Sequence, residues 1–231
     1  MTIRSLLVQD LKSVEQKYII LGNRKDCLHC GNCFDHDDKY QPERKILAQI
    51  KSVSKIKANT KQKGDLLEDL MRKLFHRFDL AEPYSRNTCD TGIGQVDLIL
   101  TAISDEFYEI LGLKDKPKGI VGECKNYKPS KALGRPIVEQ MCWRSIKGGS
   151  LILVVAKEFT KDSQKEISFF NGFVRTLKDH PGNAILIPIT LEMIDVVLNE
   201  NINFCYFLRW AIQGTQNNMA ISNYLIINGD G

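Results

Sequence analysis

The chain has 231 residues, 43% of them hydrophobic and 26% charged, a balance that suits a folded domain with a large core and excludes a disordered or fibrous chain. Its formal net charge of +4 permits a nucleic-acid partner without requiring one. No run reaches the ~20 apolar residues of a membrane span, and MTIRSLLVQDLKSVEQK lacks a secretory core, so a cytoplasmic protein with no membrane contact is expected.

Residues 1–63 read as an N-terminal module: a short helical pattern, then NRKDCLHCGNCFDHDD, then a Lys-rich segment. A second domain, 64–231, is expected to begin near Gly64. In GDLLEDLMRKLFHRF, Leu67, Leu70, Met71, Leu74 and Phe78 recur every three or four residues and predict a helix with one apolar face. Turn residues follow (Pro83, Ser85, Asn87, Asp90, Gly92, Gly94), then QVDLILTAI as a strand. The polar interval SDEFYEILGLKDKPKG leads to a second strand, IVGECKNY. Pro129, Gly134 and Pro136 punctuate a loop before the helix PIVEQMCWRSIK, and SLILVVAKEF has the continuous apolarity of a sheet centre. SQKEISFFNGFVRTL (helix), AILIPIT (strand) and LEMIDVVLNE (helix) continue the alternation, with QGTQNNMAISN as a loop or tail. That order implies an α/β sandwich around a mixed sheet.

Side chains two apart in a strand share a face, so Glu123 and Lys125 project together while Cys124 points the other way. In the preceding strand Asp97 is flanked by Val96 and Leu98. Charges set among apolar residues persist where they pair or bind metal. Either these three form an ion-pair group on an edge strand, or they form a site.

An acid on a helix, an acid in the next strand, Glu-x-Lys in the strand after it, then a helix and an apolar strand resemble the PD-(D/E)xK nuclease superfamily. The likeness is to restriction-endonuclease-like domains of the Mrr type. It is carried by GDLLEDLMRKLF, GIGQVDLIL, GIVGECKNY, the helix with EQM and SLILVVAKEFT, over about residues 64–200. Val96 stands where the superfamily has Pro. The resemblance implies a three-layer α/β sandwich with an αβββαβ core, and a metal-dependent DNA endonuclease acting in restriction or defence. Asp97, Glu123 and the backbone carbonyl of Cys124 would hold Mg²⁺ or Mn²⁺, the hard cations that prefer oxygen ligands. Lys125 would orient or deprotonate the attacking water, with Glu68 and Gln140 completing the catalytic set. Glu68 and Arg72 also read as an i, i+4 pair, Gln140 as a solvent-facing residue and the Cys124 thiol as core packing. Two rivals remain: a Holliday-junction-resolving or repair nuclease, and a non-cutting DNA-binding or assembly module. The presence of Asp97, Glu123 and Lys125 together argues for activity.

DNA is the expected partner, with a homodimer if both strands are cut and partner subunits if the setting is a defence system. Lys128, Lys131 and Arg135 follow Glu-x-Lys and are expected to contact phosphates. Lys51, Lys55, Lys57, Lys61 and Lys63 are either phosphate contacts or a solvated linker. Seven cysteines, an odd number, suggest thiols or metal ligands over disulfides. Cys27, Cys30 and Cys33 look like a zinc knuckle, with His36, His29, His76 or Cys89 to complete a tetrahedron and His36 preferred. An iron–sulfur cluster is the lesser expectation, because Asp37 stands where a ferredoxin run has its fourth cysteine.

Overall fold

The structure, a computed structural model, describes residues 3–21, 40–53, 60–77, 81–85, 97–102, 105–113, 116, 117, 119–125, 133–148, 151–176 and 184–216. In chain order its elements are α1 (Ile3–Leu21), α2 (Gln41–Val53), α3 (Thr60–Phe75), β1 (Ala81–Ser85), β2 (Leu98–Ala102), α4 (Glu106–Ile110), β3 (Ile120–Lys125), α5 (Arg135–Gly148), β4 (Leu151–Ala156), α6 (Lys161–Thr176), β5 (Leu186–Thr190), α7 (Leu191–Asn199) and α8 (Phe204–Gln216). Among them no helix is long and apolar enough to cross a membrane.

The strands make one open mixed sheet in the order β1-β2-β3-β4-β5, flanked by helices, as the alternation of elements predicts. Pairing is antiparallel from β1 through β3 and parallel from β3 through β5. Every residue of LILVVA in β4 and LIPIT in β5 is buried, which is why these segments carry no polar alternation. Thr190 ends β5 and caps α7, its hydroxyl accepting from Met193 N at 3.2 Å.

Gly122 shows how β3 and α3 meet. A Cβ built there would lie 3.2 Å from Leu98 Cβ and 3.7 Å from the Phe75 ring, so α3 covers the face that Gly122 and Cys124 share. Because the near atom is a Cβ, which cannot swing away, Gly122→Ala is expected to destabilise the fold by roughly 1–3 kcal/mol in urea unfolding. An unchanged midpoint would mean that the sheet absorbs the methyl group. On the opposite face of β3, α5 sends Arg144 to Glu123.

The segments before Gly64 join the same core. Leu7 and Leu11 of α1, with Ile46, Leu47 and Ile50 of α2, belong to one apolar cluster with the sheet and α8. Gly64 itself lies inside α3. Tyr40 anchors α2 by donating to Ile202 O at 2.7 Å and accepting from Phe204 N at 3.0 Å. Glu43, buried, takes a two-pronged grip from Arg77, at 2.9 and 2.8 Å.

Several elements differ from expectation. The Lys-rich stretch contains α2, whose buried apolar residues keep helical spacing among the charges of Glu43, Arg44, Lys45 and Lys51. β1 falls among the expected turn residues and includes Pro83, which an edge strand tolerates because it need not donate on both sides. A short helix, α4, occupies the expected polar interval. Residues 213–216, expected as loop, are the last turn of α8.

Candidate active site

The register builds the site. Leu98 pairs with Gly122, so one residue further along the antiparallel ladder Asp97 comes beside Glu123, and paired residues point to one face. Both carboxylates therefore lie on the face away from Leu98 and Gly122, and Lys125, two residues beyond Glu123, joins them. The ammonium of Lys125 is 2.5 Å from Glu123 Oε1 and 3.6 Å from Asp97 Oδ2. Asp97 Oδ2 also accepts from the backbone N–H of Cys124 at 2.7 Å, which fixes the carboxylate against β3. Arg144, from α5, places Nη1 3.4 Å from Glu123 Oε2.

Asp97 and Glu123 are both buried. Burial, and then the neighbouring charge of Asp97, push the Glu123 carboxyl above its ordinary range, while Lys125 and Arg144 pull it back down. Two like charges withdrawn from water are thus compensated by cations that only partly surround them. Replacing one carboxylate by its neutral isostere removes that repulsion. Glu123→Gln is expected to raise the Tm measured without divalent cations, by on the order of 2 °C. A fall in Tm would show that the Lys125 and Arg144 contacts outweigh the repulsion.

The Cys124 thiol is buried and pushed well up by its burial, and then by the charges of Asp97, Glu68 and Glu123. It sits in the apolar core as an unreactive free cysteine. Glu68 is buried on α3, the helix whose Phe75 packs on Gly122, and its charge is felt at Cys124. Arg72 pairs with Asp69, at 3.4 Å. Among the described residues no three His, Cys, Asp or Glu side chains are gathered as a ready ligand set. What the fold brings to one face is two carboxylates. That donor set fits a hard divalent cation, which commonly takes one or two carboxylates and fills its remaining positions with water and substrate phosphate. The Lys125 ammonium, between the two carboxylates, marks where positive charge is needed.

The other expected site residues are placed as follows. Gln140 is exposed on α5, and His76 is exposed after α3. Arg135 is held by Glu139 at 2.8 Å and Glu166 at 3.1 Å. Lys51 donates to Asp195 at 2.6 Å, so this lysine braces the core helices. Cys27, His29, Cys30, Cys33, His36, Cys89, Lys55, Lys57, Lys128 and Lys131 lie outside the described residues, as do the side chains of Lys61 and Lys63. Arg144 is the site residue that sequence reasoning missed. Its one signal is its spacing of four from Gln140, which puts the two on one flank of α5.

No family model, no curated protein and no solved structure matches this chain.

Proposed function

We propose that this protein is a metal-dependent DNA endonuclease with a restriction-endonuclease-like, three-layer αβββαβ core, acting in restriction or defence against foreign DNA. The observation that carries the reading is the convergence of Asp97, Glu123 and Lys125 on one face at the meeting of β2 and β3. Two carboxylates and an ammonium are withdrawn from water there, and that burial cost supports a reading in which the charges act on a ligand. Asp97 and Glu123 would hold Mg²⁺ or Mn²⁺, with the Cys124 carbonyl beside them. Such a cation, when bound, supplies Lewis-acid activation of water and neutralises charge on phosphate. Lys125 donates hydrogen bonds to the attacking water and to the phosphate oxygens as negative charge grows on them during P–O cleavage. The Cys124 N–H keeps Asp97 from rotating away.

The test is to incubate the full chain with plasmid, linear duplex, single-stranded and four-way-junction DNA, with Mg²⁺ or Mn²⁺ and with chelator. Cleavage that needs the cation is the expected result. Preference for the junction would move the assignment to a resolving or repair nuclease. Binding without cutting under every condition would make the protein a non-cutting DNA-binding module and overturn the catalytic reading.

A further inference from the structure

We propose that Arg144 is a substrate-binding residue, an anchor for a phosphate oxygen of the DNA strand beside Glu123; the inference rests on the nuclease reading above. Two arginine–glutamate pairs in this chain show the contrast. Arg77 grips the buried Glu43 through Nε and Nη2 at 2.9 and 2.8 Å, the geometry of a pair built to hold a carboxylate in place. Arg144 touches Glu123 through Nη1 alone, at 3.4 Å, longer than a strong charge-assisted bond. Among the described residues its Nε and Nη2 have no hydrogen-bond partner, and the side chain is 21% exposed. The guanidinium is thus steered to the site by Glu123, and no other described residue takes up its remaining donors.

Its neighbours sharpen the assignment. Arg144 lies on the flank of α5 turned toward Glu123, one helical turn from the exposed Gln140, whereas Arg135, on the opposite flank, is occupied by Glu139 and Glu166. A planar fork of donors next to two carboxylates repels cations and, once those carboxylates are neutralised, matches the paired oxygens of a phosphate. Lys125, by contrast, is a point charge engaged by both carboxylates. Lys125 and Arg144 therefore divide the work between the attacking water and the anchoring phosphate oxygen.

The experiment uses the full chain with Ca²⁺, a hard oxygen-seeking probe cation, and fluorescently labelled duplex and single-stranded oligonucleotides. In Arg144→Gln the dissociation constant for DNA is expected to rise about tenfold or more, and the slope of log Kd against log salt to fall by about one. Arg144→Lys should recover part of the affinity. Ca²⁺ binding without DNA, by calorimetry, should be no weaker in Arg144→Gln than in wild type, because no oxygen ligand is lost. Equal DNA affinity and slope in the two proteins, or a loss of Ca²⁺ affinity that tracks the loss of DNA affinity, would make Arg144 a support for Glu123 and overturn the inference. If wild type binds no DNA, the nuclease reading falls with it; if wild type binds and Arg144→Gln binds equally, this inference falls alone.

Discussion

Asp97→Asn is expected to abolish Mg²⁺-dependent DNA cleavage while leaving the protein folded, and Lys125→Ala is expected to lose both activity and stability. The difference follows from charge. Asparagine keeps the shape of Asp97 and an oxygen that can accept from Cys124 N–H, but it removes one of two buried like charges. A cation ligand is lost and a repulsion is relieved, so the Tm without divalent cations should be level or higher. Lys125→Ala does the reverse, leaving Asp97 and Glu123 without the ammonium between them. The activity loss for Lys125→Ala should be on the order of 10²–10³-fold, the range for removing one preorganised donor from developing charge, with Asp97→Asn at least as severe. The double variant should regain part of the lost Tm and none of the activity, because the two substitutions share one electrostatic cause. The measurements are initial rates on the best DNA substrate and melting curves with chelator. Cleavage by Asp97→Asn at the wild-type rate would sink the catalytic assignment.

How much of this was legible in the sequence depends on the range of each signal. β4 and β5 announce themselves because a strand covered on both faces must be apolar throughout, and α3 because its buried residues recur every three or four positions. The shared face of Glu123 and Lys125 follows from strand periodicity alone. That Asp97 lands beside them required the register of β2 on β3, which strand periodicity does not supply. α2 was hidden for a different reason: Lys51, which reads as either a phosphate contact or part of a solvated linker, is tied to Asp195 on α7, and Arg44 is tied to Leu198 O on the same helix, some 150 residues away in sequence. Arg144 was illegible for the same cause, since nothing local distinguishes an arginine aimed at a buried carboxylate from one in water.

Asp195→Ala is expected to cost about 2–3 kcal/mol, a large effect for a polar residue distant from the candidate site. This carboxylate is 5% exposed on α7, and it receives Arg4 of α1 at 2.6 Å, Lys51 of α2 at 2.6 Å and Asn199 at 2.8 Å. One side chain thereby ties three helices together. The Arg4 and Lys51 side chains are 40% and 51% exposed, so water screens part of the attraction and keeps the expected cost below that of a fully buried pair. Burial pushes the Asp195 carboxyl up, but the hydrogen bonds and charges of Lys51 and Arg4 outweigh it and hold the group below its ordinary range. The unfolded chain therefore takes up the proton first as pH falls. The stabilisation is complete above the ordinary carboxylate value of 3.8 and is lost as pH drops from there through the folded value. Urea unfolding of wild type and Asp195→Asn should differ by a constant amount between pH 7 and about 5, and the gap should close below about pH 4. A gap that persists into acid would mean that Asp195 acts through packing and not through its charge. The same variant should leave the cation and DNA affinities of the folded protein unchanged, because Asp195 faces α1 and α2 while the Asp97, Glu123 and Lys125 group lies on β2 and β3. A folded Asp195→Asn protein with weakened DNA binding would show that the α1, α2 and α7 tie reaches the site through the sheet.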